Sequence, residues 1–124
     1  MARILIAEDE SSVREFVTRA LVQRGHAVAA TCDGSEALDA LQEESFDLLL
    51  ADIVMPQLDG VGLALTVAKA YPDLRVVLMT GYAAERDRAH NLSALVHKVV
   101  SKPFSLSEIC ESVDAALNAP PELH

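Results

Sequence analysis

Leu48-Leu49-Leu50-Ala51-Asp52 decides how this chain folds: four apolar residues run straight into an acid. Three other stretches repeat the arrangement. Ile4-Leu5-Ile6-Ala7 ends in Glu8-Asp9, Val76-Val77-Leu78-Met79 ends in Thr80, and Val99-Val100-Ser101 ends in Lys102-Pro103. Short, continuous apolar runs separated by helical patterns read as strands of a parallel sheet covered on both faces. In an open parallel sheet the ligand site lies beyond the carboxyl ends of the strands. Glu8, Asp9, Asp52, Thr80 and Lys102 are therefore expected to meet at one edge, although they come from four distant parts of the chain.

Between the runs lie helical patterns. Ser12-Val13-Arg14-Glu15 has the spacing of a capping box, and Val13, Phe16, Val17, Ala20 and Leu21 follow at amphipathic intervals up to a stop at Gly25. Residues 26–30 read as a second strand, Cys32-Asp33-Gly34 as the turn leaving it, and Ser35 as the cap of a helix carrying Ala37, Leu38 and Leu41. The third strand is expected over about 46–51. Asp59-Gly60 turns into a helix with Leu63, Ala64, Val67 and Ala68, which stops near Tyr71-Pro72. Residues 84–95 have the weakest helical pattern, with only Ala89, Leu92 and Leu95 as an apolar stripe, so this helix is expected to be loosely held. Ser105 or Ser107 caps a last helix with Leu106, Ile109, Cys110, Val113 and Leu117 on one face. Five βα units with right-handed crossovers predict an α/β, doubly wound parallel sheet of order 2-1-3-4-5, with its crevice between strands one and three. One domain over 1–119 is expected, then a frayed tail over 120–124 and no output domain.

Composition narrows the function. A chain of 124 residues buries roughly two-thirds of its surface on folding, enough for a core without disulfides. The hydrophobic fraction of 51% fits a sheet covered on both faces. A net charge of −9, with only 10 basic residues and no basic run, argues against nucleic acid. No apolar stretch nears the ~20 residues needed to span a bilayer, and there is no signal-peptide pattern, so no membrane role and a cytoplasmic location are expected. Cys32 and Cys110 read as two buried thiols rather than a disulfide framework.

Each acid alone reads as a solvated loop residue. Three at one edge do not, because Glu8, Asp9 and Asp52 would repel one another until a cation relieved them. Mg²⁺ suits a few carboxylates plus water, and no Cys or His stands at these strand ends to favour a softer metal. Asp52 ends the most hydrophobic strand and is the best nucleophile candidate, since carboxylates can attack phosphorus. In-line phosphoryl transfer needs charge neutralised on the equatorial oxygens, by Mg²⁺, Lys102 and the Thr80 hydroxyl. Pro103 fixes the direction of Lys102 and is a candidate for a cis bond. Phosphate-binding glycine loops and a nucleophile elbow are missing from the sequence. His26, His90, His97 and His124 lack metal-ligand spacing, Asp33 and Asp59 belong to turns, and Asp47 stands at the wrong end of its strand.

In their order and spacing over the whole chain these motifs resemble the receiver domain of two-component response regulators. The resemblance rests on Glu8-Asp9, on Asp52-Ile53-Val54-Met55-Pro56-Gln57-Leu58-Asp59-Gly60, on Met79-Thr80-Gly81-Tyr82 and on Lys102-Pro103-Phe104. It implies a flavodoxin-like three-layer sandwich and phosphorylation of Asp52 by a histidine kinase or a histidine phosphotransfer protein. It also implies Mg²⁺ bound by Asp9, Asp52 and the main-chain carbonyl of Val54, with Glu8 acting on the metal through water, and Thr80 and Lys102 on the phosphoryl group. One departure stands out. Receivers often carry an aromatic residue three positions before the site lysine, and here that position is Val99, which leaves Tyr82 as an alternative switch. The resemblance puts the output surface on the helix over 84–95, the fifth strand and the last helix. The chain also resembles the stand-alone regulators of the CpdR type, which implies control of substrate delivery to the ClpXP protease. Two alternatives stay open: an intermediate phosphoryl shuttle, or a small Mg²⁺-dependent phosphotransferase. The latter is disfavoured because Val54 stands where a second acid/base carboxylate is needed. The protein is thus expected to catalyse only its own phosphoryl transfer and hydrolysis.

Overall fold

The four apolar runs become strands of one sheet, and the period of two within them sorts its faces. A computed structural model describes residues 2–55, 58–81 and 96–118. Among these, the strands are β1 (Arg3–Ala7), β2 (Ala27–Thr31), β3 (Leu48–Asp52), β4 (Arg75–Thr80) and β5 (Lys98–Ser101). The helices are α1 (Ser11–Gln23), α2 (Gly34–Glu43), α3 (Gly60–Ala70) and α4 (Leu106–Asn118). All strand pairs are parallel and the order is β2-β1-β3-β4-β5, as expected from sequence. β3 is central and buried along its whole length, with Leu50 opposite Ile6 on one side and Val77 on the other.

Alternate residues of each strand feed two cores. Leu5, Leu49, Ala51 and Leu78 face α2 and α3, packing with Ala37, Leu41, Leu63 and Val67. Ile4, Ile6, Leu50 and Met79 face α1 and α4, packing with Val17, Leu21, Ile109 and Val113. Burying both faces is what makes each strand a continuous apolar run rather than an alternating one.

Several details differ from expectation, each for a local reason. The capping box at Ser12 does not form. α1 starts at Ser11 because the acid pair is already braced: Glu8 Oε2 accepts the Glu10 N–H at 3.1 Å, and Arg14 Nη1 donates to the Glu8 carbonyl at 2.8 Å. Ser12 then falls inside the first turn, where its hydroxyl donates to Glu10 Oε1. α2 is capped by Asp33, which accepts the Glu36 N–H at 2.8 Å, and not by Ser35. β2 runs one residue later than expected, and β3 starts at Leu48, with Asp47 just before it bonded to Arg3 and Arg75 through its main chain and to the Arg3 N–H through its carboxylate. Cys110 is buried but Cys32 is exposed, so the expectation of two buried thiols holds for one only. Gly25 does end α1, with φ of +91°. Ser105 caps α4 in a reciprocal pair: its hydroxyl accepts the Glu108 N–H at 3.1 Å, and Glu108 Oε1 accepts the Ser105 N–H at 2.8 Å. The Lys102-Pro103 bond is cis. Among the described residues no helix is long and apolar enough to cross a membrane. The helix over 84–95, Tyr82 and the tail over 120–124 lie outside the described residues.

Candidate functional site

The sheet's own hydrogen bonds carry the site residues to one edge. Glu8 N–H reaches the Thr31 carbonyl at 3.1 Å, Ile53 N–H the Met79 carbonyl at 3.1 Å, and Lys102 N–H the Thr80 carbonyl at 2.6 Å. The ladder therefore runs up to the polar residues themselves, and their backbones are as fixed as the strands.

Lys102 Nζ is the hub. It donates to Glu8 Oε1 at 2.9 Å and to Asp52 Oδ2 at 2.8 Å. The other oxygen of each acid takes a backbone N–H: Glu10 for Glu8, and Val54 for Asp52 at 3.2 Å. Glu8 and Asp52 are buried, whereas Asp9 is exposed at the mouth. Glu8, Asp9 and Asp52 each offer a carboxylate oxygen, and the three oxygens lie within 4.8 Å of one another. A hard cation with metal–oxygen distances of roughly 2.0–2.6 Å can touch all three after small side-chain movements.

Electrostatics points the same way. Burial pushes the Glu8 carboxyl from 4.5 up to about 7, against the hydrogen bonds from Lys102 and Glu10 that pull it down, and the charge of Asp52 adds to the rise. Burial pulls the Lys102 ammonium down, but its bonds to Asp52 and Glu8 outweigh this and hold it above 10.5. Among the described residues the Lys102 ammonium and the Arg14 guanidinium stand against three carboxylates, which leaves the edge short of positive charge. That deficit, together with an all-oxygen donor set, fits Mg²⁺.

Thr80 contributes a different irregularity. Its side chain is fully buried, yet Oγ1 has no hydrogen-bond partner among the described residues. An unpaired buried hydroxyl costs about 1–3 kcal/mol unless a partner arrives.

A cleft of about 730 Å³ opens over these groups, lined by Asp9, Asp52 and Lys102 and also by Phe16, Val54 and Phe104. The Phe16 and Phe104 ring centroids are 6.3 Å apart, and Phe16 and Val54 are 41% and 52% exposed. Phe16 reads in the sequence as part of the buried stripe of α1, so this apolar rim was missed. Its one signal was Phe104, placed directly after Lys102-Pro103.

Other groups stay apart from the site. Asp33 and Asp59 cap α2 and α3, His26 Nδ1 accepts the Ala2 N–H, and His97 Nδ1 accepts the Val76 N–H. Val99 pairs with Leu78 and packs partly buried against the core on the α2–α3 face.

Comparison with known proteins follows this geometry. Residues 4–114 match the family described as response regulator receiver domain. The response regulator receiver protein CpdR of Brucella abortus (strain 2308) is 40% identical over 119 residues, covering 96% of this chain and 99% of CpdR. A segment of the sensor kinase CckA of the same organism is 37% identical over 119 residues, 94% of this chain but 12% of the kinase. Among solved structures, the response regulator TrrA of Thermotoga maritima, in complex with Mg²⁺ and BeF, superposes with a TM-score of 0.83 at 31% identity, over 92% of this chain and 97% of that one.

Proposed function

The chain belongs to the response regulator receiver domain family of two-component signalling, and we propose that it is a phosphorylation-controlled interaction module with Asp52 as phosphoacceptor. The observation that carries this reading is Lys102 Nζ bridging Asp52 and Glu8 at 2.8 and 2.9 Å, with Asp9 beside them at the end of the central strands.

An Asp52 carboxylate oxygen attacks the phosphorus of a phosphohistidine. The O–P bond forms as the P–N bond breaks, and the imidazole nitrogen leaves with the bonding pair and takes up a proton. Asp9, Asp52 and the Val54 carbonyl would hold Mg²⁺, with Glu8 acting through water. When bound, the ion neutralises charge on the transferring group. Lys102 exchanges Asp52 Oδ2 for a phosphoryl oxygen while keeping Glu8, so its ammonium remains paired throughout. The Thr80 hydroxyl, which has no hydrogen-bond partner among the described residues, gains an acceptor.

The donor is a histidine kinase or a histidine phosphotransfer protein. Phe16, Val54 and Phe104 around the mouth suit an apolar helix face carrying the histidine. The output is a protein contact through residues 84–95, β5 and α4. Reversing a two-state population from 1:99 to 99:1 takes about 5.5 kcal/mol, and new bonds from Lys102 and Thr80 to an anion contribute to it. With Val99 in place of an aromatic, Thr80 movement reaches the surface through Tyr82 or the backbone. The likeness to CpdR supports regulated proteolysis, by a ClpXP-type protease, as the downstream process. Likeness to a segment of a sensor kinase favours a second reading, a phosphoryl shuttle between carriers.

Beryllofluoride with Mg²⁺, a non-covalent phosphoryl mimic, tests the site. In amide NMR spectra it is expected to shift Thr80 and Lys102 in the wild type and to leave Asp52→Asn unchanged. Equal shifts in both proteins would count against Asp52 as the acceptor.

A further inference from the structure

Where α2 meets Leu58, shortly before α3, there is no room for a side chain. A Cβ on Gly34 would overlap the main-chain carbonyl oxygen of Leu58 and stand 2.8 Å from Leu58 Cβ. Neither obstacle moves with a rotamer change, because both are fixed by the backbone. Two residues on, the Gly60 N–H donates to the Ile53 carbonyl at 2.9 Å, and a Cβ on Gly60 would overlap the Asp52 carbonyl. Gly34, opening α2, thus seats Leu58, and Gly60, opening α3 two residues later, closes against Asp52 and Ile53.

The two sides of the Gly34 contact are not equally firm. α2 is anchored by Ala37 and Leu41 in the core and by the Asp33 cap. Leu58 is only partly buried. If a methyl group is forced between them, Leu58 gives way, and Leu58 lies two residues before Gly60, whose N–H holds the Ile53 carbonyl next to Val54.

We infer that Gly34 is a positioning residue for the phosphoryl site: by letting the Leu58 backbone rest against the start of α2, it sets where Leu58 and Gly60 stand and, through the Gly60 N–H on the Ile53 carbonyl and the Val54 N–H on Asp52 Oδ1, where Val54 and the Asp52 carboxylate stand. This rests on the reading of Asp9, Asp52 and Val54 as a Mg²⁺ site. Disturbing groups that orient metal ligands typically weakens metal affinity about 10- to 100-fold.

Gly25 supplies the control. It has φ of +91° with nothing within 4 Å of an added Cβ, so Gly25→Ala strains the backbone and lowers stability without touching Leu58. Mg²⁺ affinity is measured by titration calorimetry on wild type, Asp9→Asn, Gly34→Ala and Gly25→Ala, each at a temperature where circular dichroism shows it folded. Wild type is expected to bind, Asp9→Asn to lose binding, Gly34→Ala to bind roughly tenfold or more weakly, and Gly25→Ala to match wild type. A folded Gly34→Ala with wild-type affinity, or equal weakening in both glycine variants, would overturn the inference. No binding by wild type, or undiminished binding by Asp9→Asn, would overturn the metal reading itself and this inference with it. If Gly34→Ala does not fold, hydrogen exchange on the wild type decides: Mg²⁺ is expected to slow the Glu36 and Ala37 amides in the first turn of α2, and unchanged rates would overturn the inference.

Discussion

Thr80, Glu8 and Lys102 were legible as candidate-site residues because each stands at the end of a strand run, but the energetic state of each depends on partners that no local pattern reveals. Thr80→Val removes a buried hydroxyl that has no partner among the described residues. Its urea unfolding free energy is expected to equal or exceed that of wild type by up to about 1 kcal/mol, while its response to phosphorylation is lost. Lys102→Met leaves Glu8 and Asp52 without their shared cation, and equilibrium unfolding in EDTA at pH 7.5 is expected to show a loss of about 2 kcal/mol. The loss shrinks at pH 5, where Glu8 takes a proton. In wild type the folded carboxyl of Glu8 titrates near 7 and the unfolded one near 4.5, so between those values the folded chain holds the extra proton. The contribution of this group to stability is thus complete below about pH 4.5 and is lost as pH rises through 7. Unfolding in EDTA from pH 4.5 to 7.5 is expected to show this decline, Glu8→Gln to flatten it, and Mg²⁺ to restore stability at the upper end.

At the scale of elements, the helix starts separate what sequence can and cannot show. Ser105 and Glu108 form the reciprocal cap that their spacing predicts. Ser12 and Glu15 have the same spacing and form none, because Glu8 and Arg14 fix the acid pair and begin α1 two residues sooner. A capping motif is local, but the bracing of the acid pair draws on a side chain from the next turn of helix. Thermal unfolding should register the difference. Ser105→Ala is expected to cost about 1 kcal/mol, and Ser12→Ala only a few tenths. The exposure of Phe16 has a similar origin. Helical periodicity places it on the apolar side of α1, and only the position of Phe104 across the cleft shows that this end of the stripe reaches past the core to solvent.

For the molecule as a whole, the sheet order and both cores follow from continuous apolar runs alternating with amphipathic segments, since a strand buried on both faces has no other sequence pattern open to it. The same topology brings Glu8, Asp9, Asp52 and Lys102 together, so the site was legible as soon as the strands were. Two things were not legible: the seating of Gly34 on Leu58 and of Gly60 on Asp52 and Ile53, which depends on close backbone approach, and the rim around the cleft. The central claim is that this edge carries a phosphoryl group on Asp52. Intact-mass spectrometry after incubation with Mg²⁺ and acetyl phosphate measures it most directly. One added phosphate, base-labile, absent in Asp52→Asn and absent when EDTA replaces Mg²⁺, is the predicted result; a phosphate that persists in Asp52→Asn, or none in the wild type with either acetyl phosphate or a cognate histidine kinase, would contradict it.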